Sequence, residues 1–260
     1  MTLRPEPQRT EGTVVGGRYR LDRMLGEGGF ATVYLAHHTE LDTPVAVKCL
    51  LPEHLHRDDL QTRFRAEAKT AARLESRHTV RVRDFGFDDS GAPYMVMDLV
   101  RGTTLEKLLE ERGPLPEDVV ARIALGVLES LAEAAELGIV HRDIKPQNIF
   151  LADEREVRGM IAKVGDFGIA KLIASTEVQA TRTVDGVLCT PQYAAPELLL
   201  RTPVPASDLY SLGHVLAELL DGTAPYASDN GLQALARHLS PEPVALGPAA
   251  RDSFLRPVLE

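Results

Sequence analysis

The chain has 260 residues, 44% of them hydrophobic, enough to bury one large core or two smaller ones. Its formal charge of -9 gives no general electrostatic grip on nucleic acid phosphates, so no nucleic acid partner is expected. Cys49 and Cys189 are too few for a disulfide framework and fit no metal-ligand spacing, which points to a reducing cytoplasm, and no apolar run nears the roughly 20 residues that cross a bilayer.

In chain order, Thr2 to Thr13 carries Pro5, Pro7, several charges and almost nothing apolar, so residues 1–16 are expected to be a disordered leader without the apolar middle of a secretion signal. From Arg18 to Val47 the pattern is strand-like, with Tyr19 and Leu21, then Val33 to Leu35, then Val45 and Val47, separated by a glycine-rich turn and by Asp42-Thr43-Pro44. An antiparallel sheet is predicted there. Asp58 and Asp59 can start a helix whose core stripe is Phe64, Ala68, Ala71 and Leu74, with Glu67 as the charged residue beside it. Two further strands fit Val80 to Phe87 and Pro93 to Leu99, joined by the turn Asp88-Asp89-Ser90-Gly91.

After Gly102 long helices take over, which puts a lobe boundary between residues 100 and 101. Thr103 with Glu106 predicts a capping box before Leu105, Leu108 and Leu109, and Gly113 closes that helix. Pro116 opens a longer helix with Glu117 and Asp118 in its first turn and Gly138 past its end. A third runs from Asp208 to Leu220 on Leu209, Leu212, Leu216 and Leu219.

The loop after the second of these helices carries His141-Arg142-Asp143-Ile144-Lys145-Pro146-Gln147-Asn148, and Asp166-Phe167-Gly168 begins eighteen residues after Asn148. Asp143 can take a hydroxyl proton, Lys145 can neutralise a transferring phosphate, and Asn148 with Asp166 can hold hard divalent cations. The triplet alone is a weak signal; the two blocks in this order and at this distance are a strong one.

Upstream, Gly26-Glu27-Gly28-Gly29-Phe30-Ala31-Thr32-Val33 joins the first two strands, where glycines let backbone N–H groups close over phosphates. A strand follows these glycines, which excludes the dinucleotide fingerprint, and no Gly-Lys-Ser/Thr ends the loop, which excludes a Walker A loop. Lys48 ends Val45-Ala46-Val47-Lys48 and by itself is as well read as a solvated strand end; Glu67 by itself is a surface carboxylate. With a phosphate loop upstream, Lys48 can bridge the α- and β-phosphates while Glu67 fixes its ammonium.

These motifs, in this order from about Gly17 to the C-terminus, resemble the bacterial, eukaryotic-like serine/threonine protein kinases. The resemblance implies an α+β, two-lobe fold: an N-terminal antiparallel sheet lobe with one helix over residues 17–100, and a mainly helical lobe over residues 101–260. It implies ATP in the cleft with Mg2+, or Mn2+ in its place, Asp143 as catalytic base, Asn148 and Asp166 as metal ligands, and Lys145 on the γ-phosphate. It further implies Met97 as gatekeeper, the Asp98 and Val100 backbone against adenine, Val33, Ala46 and Phe150 around the ring, and Thr190 beside Asp143 and Lys145.

The segment from Asp166 to Ala195-Pro196-Glu197 is similar to a kinase activation segment and holds Ser175, Thr176, Thr181 and Thr183. Arg142 is a candidate cation for a phosphate there, so autophosphorylation at Thr181 or Thr183 is expected, with protein substrates and a homodimer as partners. A nucleotide-binding pseudokinase scaffold is the alternative, although such a protein more typically lacks one of Lys48, Asp143 or Asp166. A small-molecule kinase is disfavoured by the Ala195-Pro196-Glu197 platform.

Two positions depart from the family pattern: Ala31 stands at the third glycine of the loop, a mild change, and Cys189 at the glycine before Thr190-Pro191, which puts the local backbone conformation there in doubt and adds a thiol near the substrate site. A redox role for Cys189 has no support from a lowered thiol pKa. The larger departure is that relatives continue past Phe254 to Glu260 into helices that supply an arginine to Glu197. The chain is therefore expected to be a C-terminally incomplete piece of a longer protein.

Overall fold

The computed structural model describes residues 10–154, 159–167, 191–199, 202–227, 231–240 and 242–259. The chain forms two compact units. The first holds Val80–Val100 and the residues before Ser76; the second holds Ser76–Thr79 and the residues from Arg101 onward.

In the first unit, β1 (Val14–Val15), β2 (Tyr19–Glu27), β3 (Ala31–His38), β4 (Thr43–Leu50), β5 (Val82–Phe87) and β6 (Pro93–Asp98) form an antiparallel sheet in the order β1-β2-β3-β4-β6-β5. The strand β1 corrects the expected leader: Val14 and Val15 pair with Arg20 and Tyr19, and Val15 is fully buried. Two apolar residues are too short a run to read as a strand, yet they cover one face of the sheet. The two later strands begin and end within two residues of the expected bounds.

Successive side chains of a strand point to opposite faces, and β4 uses both. Val47 and Cys49 join Val15, Tyr19, Leu21, Ala36, Tyr94 and Val96 on one face. Ala46 and Leu50 join Phe64, Ala68, Met95 and Met97 on the other, beneath α1 (Asp58–Ala71). Lys48 lies between Ala46 and Leu50 in this alternation and so faces the helix. On α1, Phe64, Glu67, Ala68 and Ala71 form one buried stripe, so Glu67 belongs to the packed face of its helix.

In the second unit, β7 (Gly102–Thr104), β8 (Ile149–Glu154) and β9 (Gly159–Val164) make a three-stranded antiparallel sheet. The helices α2 (Leu105–Arg112), α3 (Glu117–Glu136), α4 (Pro196–Leu199), α5 (Pro205–Asp221), α6 (Gly231–His238), α7 (Pro248–Asp252) and α8 (Arg256–Leu259) complete it. The capping box expected at Thr103 is corrected by one residue: Thr103 is held in the ladder opposite Leu151, and Thr104 Oγ1 accepts the N–H of Lys107. Gly102 makes this possible, because a Cβ there would fall on the Leu151 carbonyl. Gly113 ends α2 in positive φ, as its place in the sequence requires.

Leu209 is the second correction. It is 49% exposed, whereas Leu212, Val215, Leu216 and Leu219 form the buried face of α5. The first two turns of that face carry Asp208 and Ser211, both buried, and each of them holds backbone from another segment.

Candidate active site

In the first unit, Lys48 Nζ lies 2.7 Å from Glu67 Oε1, with the two side chains only 14% and 6% exposed. The alternation of β4 and the stripe of α1 bring the pair together. Burying one of these charges alone would cost several kcal/mol, on the order of the effective penalty for a single desolvated ion, so each requires the other. Val33 is half-buried against the cluster holding Ala46 and Met97, which face each other across β4 and β6. The Asp98 N–H donates to the Arg81 carbonyl and its carboxylate takes Arg83. The glycine-rich turn lies between β2 and β3, closed by Gly28 N–H donating to the Ala31 carbonyl.

In the second unit, residues 141–148 follow α3 and lead into β8, which carries Phe150. His141 is fully buried; its Nε2 lies 2.9 Å from the Gly165 carbonyl, its Nδ1 accepts the Asp143 N–H, and its ring lies 4.6 Å from that of Phe167. Arg142 sits at φ 68°, an uncommon region for a residue with a side chain. This backbone is held from α5: Asp208 accepts the N–H of His141 at 2.7 Å and of Arg142 at 2.8 Å. Burial pushes the Asp208 carboxyl pKa up, while His141, the two N–H donors and Arg142 oppose that rise.

The Asp143 carboxylate is 12% exposed and gathers two donors on Oδ2, Lys145 Nζ at 3.0 Å and Asn148 Nδ2 at 3.1 Å. Asn148 Nδ2 also donates to the Asp143 carbonyl at 2.8 Å. Both bonds use the amide nitrogen, which leaves the Asn148 side-chain oxygen, Oδ1, as the atom able to ligate a cation. Asp166, exposed and at φ 51°, follows Gly165, whose N–H donates to the Asn148 carbonyl. Two hard oxygen donors therefore sit on adjoining stretches of backbone, which fits an oxygen-preferring divalent ion.

Arg142 has a different environment. Its Nε and Nη1 are buried with no hydrogen-bond partner among the described residues, and burial lowers the guanidinium pKa. Buried donors of this kind are costly unless paired. Thr190, Cys189, Ser175, Thr176, Thr181, Thr183 and Gly168 lie outside the described residues. Pro191, next to Thr190, offers its carbonyl to His238 Nε2 at 2.8 Å, and the Tyr193 carbonyl takes Ser211 Oγ at 2.7 Å.

Sequence reading missed two parts of this unit. Asp208 looked like an ordinary first-turn carboxylate, a position favoured by the helix dipole alone. The other is a packed set of rings, Tyr210, His214, Tyr226 and His238, with Tyr210 Oη 2.8 Å from His238 Nδ1. Desolvation first, and the neighbouring His214 second, push His238 down to about 4; burial lowers His214 as well. An unfolded histidine takes up its proton near pH 6.5. Between these values the unfolded state binds more protons, so stability should fall as pH drops through that window. The raised carboxyls of Asp208 and Glu218 act in the opposite sense. The expected result is a thermal midpoint that declines from about pH 7 to about pH 5, with a shallower slope in His238→Gln, which retains a donor for Pro191 but does not titrate. Equal slopes would remove His238 as the cause.

Comparison with known proteins shows the family. The sequence model of the protein kinase domain matches residues 19–246. The chain is 35% identical over 98% of its length to the serine/threonine-protein kinase pkn3 of Myxococcus xanthus, covering 47% of that protein. It is 37% identical over 88% of its length to PknL of Mycobacterium tuberculosis, covering 55% of it, and 40% identical over 95% to PksC of Streptomyces coelicolor, covering 44%. The chain thus spans about half the length of these curated relatives. Crystal structures of the PknI kinase domain of Mycobacterium tuberculosis are similar, one with TM-score 0.65 at 29% identity over 85% of this chain and 81% of that one. Another has TM-score 0.70 at 26% identity over 98% and 91%. The chain belongs to the protein kinase domain family, and the relatives it matches are bacterial serine/threonine kinases.

Proposed function

We propose that the chain transfers the γ-phosphoryl group of ATP to serine or threonine hydroxyls of protein substrates. The observation that carries this reading is the Asp143 carboxylate, bridged by Lys145 and Asn148 on a segment hung from Asp208. Asp143 accepts the hydroxyl proton as the attacking oxygen bonds to phosphorus and the bond to the ADP oxygen breaks. Lys145 neutralises charge on the transferring group, and Thr190 orients the hydroxyl. Lys48, held by Glu67, grips the α- and β-phosphates under the loop from Gly26 to Phe30, with Glu27 in its turn. Met97 serves as gatekeeper, the Asp98 and Val100 backbone binds adenine, and Val33, Ala46 and Phe150 enclose the ring. Asn148 and Asp166 would hold Mg2+, or Mn2+, which when bound would neutralise charge on the phosphate oxygens. Positioning and charge neutralisation supply most of the rate.

All of Lys48, Asp143 and Asp166 are present, which disfavours a pseudokinase scaffold. We place this activity in the cytoplasm, on the strength of the cysteine usage, and assign homodimer formation to autophosphorylation. The unpartnered Arg142 nitrogens support a phosphate acceptor on the activation segment, because phosphothreonine brings about -1.5 to -2 charges and three acceptor oxygens. Incubation with Mg-ATP should add phosphate at Thr181 or Thr183, read by intact mass and peptide mapping. The Thr181→Ala/Thr183→Ala double variant should lose several-fold in activity after ATP preincubation. Unchanged activity would remove the switch.

A further inference from the structure

The tip of the glycine-rich turn is fastened to the connection between β4 and α1. His54, in the single turn Pro52–His54, places Nε2 3.0 Å from the Gly29 carbonyl, and its ring lies 5.4 Å from that of Phe30. Beside it, the Leu51 N–H donates to the Phe30 carbonyl at 2.9 Å. Carbonyls of successive residues in an extended strand point to opposite sides, so two in a row directed at one connection mean that the turn is bent toward it. A trans peptide sets N–H opposite C=O, and the Phe30 N–H is therefore aimed away from His54. Among the described residues, no atom outside its immediate neighbours lies within 4 Å of the position a Cβ would take at Gly29, so there is open space beside the turn at that residue.

We infer that His54 is a positioning residue for the phosphate-binding turn: by holding the Gly29 carbonyl and packing on Phe30, it pre-aims the turn's N–H groups for the phosphates of ATP. This rests on the kinase reading for the identity of the ligand. All the residues involved belong to the first unit, and the contact is a side-chain bond to a loop carbonyl, so its loss leaves the sheet pairing intact. Preorganisation of this kind reduces the ordering that binding must impose. It should act on ligands with phosphates and not on the nucleoside alone.

The test compares parent, His54→Ala, His54→Gln and His54→Asn for affinity to Mg-ATP and to adenosine by titration calorimetry, with KM for ATP in a transfer assay beside it. A glutamine amide nitrogen reaches about as far as Nε2; an asparagine nitrogen reaches only as far as Nδ1. His54→Ala and His54→Asn should weaken Mg-ATP about three- to tenfold, the loss expected for one modest hydrogen bond, with adenosine affinity and thermal midpoint unchanged. His54→Gln should recover most of the loss. Equal or tighter Mg-ATP binding by His54→Ala, or a parallel loss for adenosine, would overturn the proposal. If the parent binds Mg-ATP but transfers nothing, the kinase reading fails while the binding ratios still decide the role of His54.

Discussion

Replacing Asp143 by Asn should lower phosphoryl transfer by about 10²- to 10⁴-fold, the usual range for loss of a general base, while leaving Mg-ATP affinity almost unchanged. The amide has the size of the carboxylate and can still accept from Asn148 Nδ2, so the segment keeps its shape. It cannot take a proton, and Lys145, now 3.0 Å from Asp143 Oδ2, loses its counter-charge. A fall in kcat with little change in ATP affinity is the signature of an interaction made chiefly in the transition state. Single-turnover transfer beside nucleotide titration measures both. Transfer at the parental rate would remove Asp143 from the mechanism, and a matching loss of ATP affinity would recast it as a binding residue.

Much of this site was legible because its chemistry is written in short spacings. Asp143, Lys145 and Asn148 share one loop, and the single turn Pro146–Asn148 is enough to bring their side chains together. Lys48 and Glu67 are nineteen residues apart, and each read alone was ambiguous; the phosphate loop upstream suggested the pair, and the alternation of β4 with the stripe of α1 makes it. What escaped depends on long-range pairing. Asp208 reaches the backbone of Arg142 across sixty-six residues, and nothing in its neighbourhood distinguishes it from a carboxylate placed for the helix dipole. The Thr103 and Thr104 ambiguity has the same origin: either hydroxyl could cap α2, and the choice is made by the pairing of Gly102–Thr104 with β8. Val14 and Val15 form a strand by pairing with Arg20 and Tyr19, with Val15 buried among Tyr19, Leu21 and Tyr94, partners that two residues of sequence do not reveal.

Asp208→Ala carries the second large effect, and it joins stability to catalysis. Two buried N–H groups, of His141 and Arg142, lose an ionised acceptor. Hydrogen bonds to charged groups contribute about 1.5–3 kcal/mol each, so about 3–6 kcal/mol is expected in all. For a domain of this size 1 kcal/mol moves the thermal midpoint by about 2–4 °C, which puts the fall between about 6 and 24 °C. The same bonds hold Arg142 at φ 68°, a conformation that persists only when its surroundings impose it, at a cost of about 1–3 kcal/mol. Freed from Asp208, the backbone before Asp143 can relax toward ordinary φ, and a base displaced by about 1 Å loses on the order of 10²-fold in rate. Asp208→Asn should fall between, because its amide oxygen serves one N–H and its NH2 group confronts the other. The measurements are the thermal midpoint and single-turnover transfer on the same preparations. Parental values of both in Asp208→Ala would show that the catalytic segment keeps its shape without this anchor.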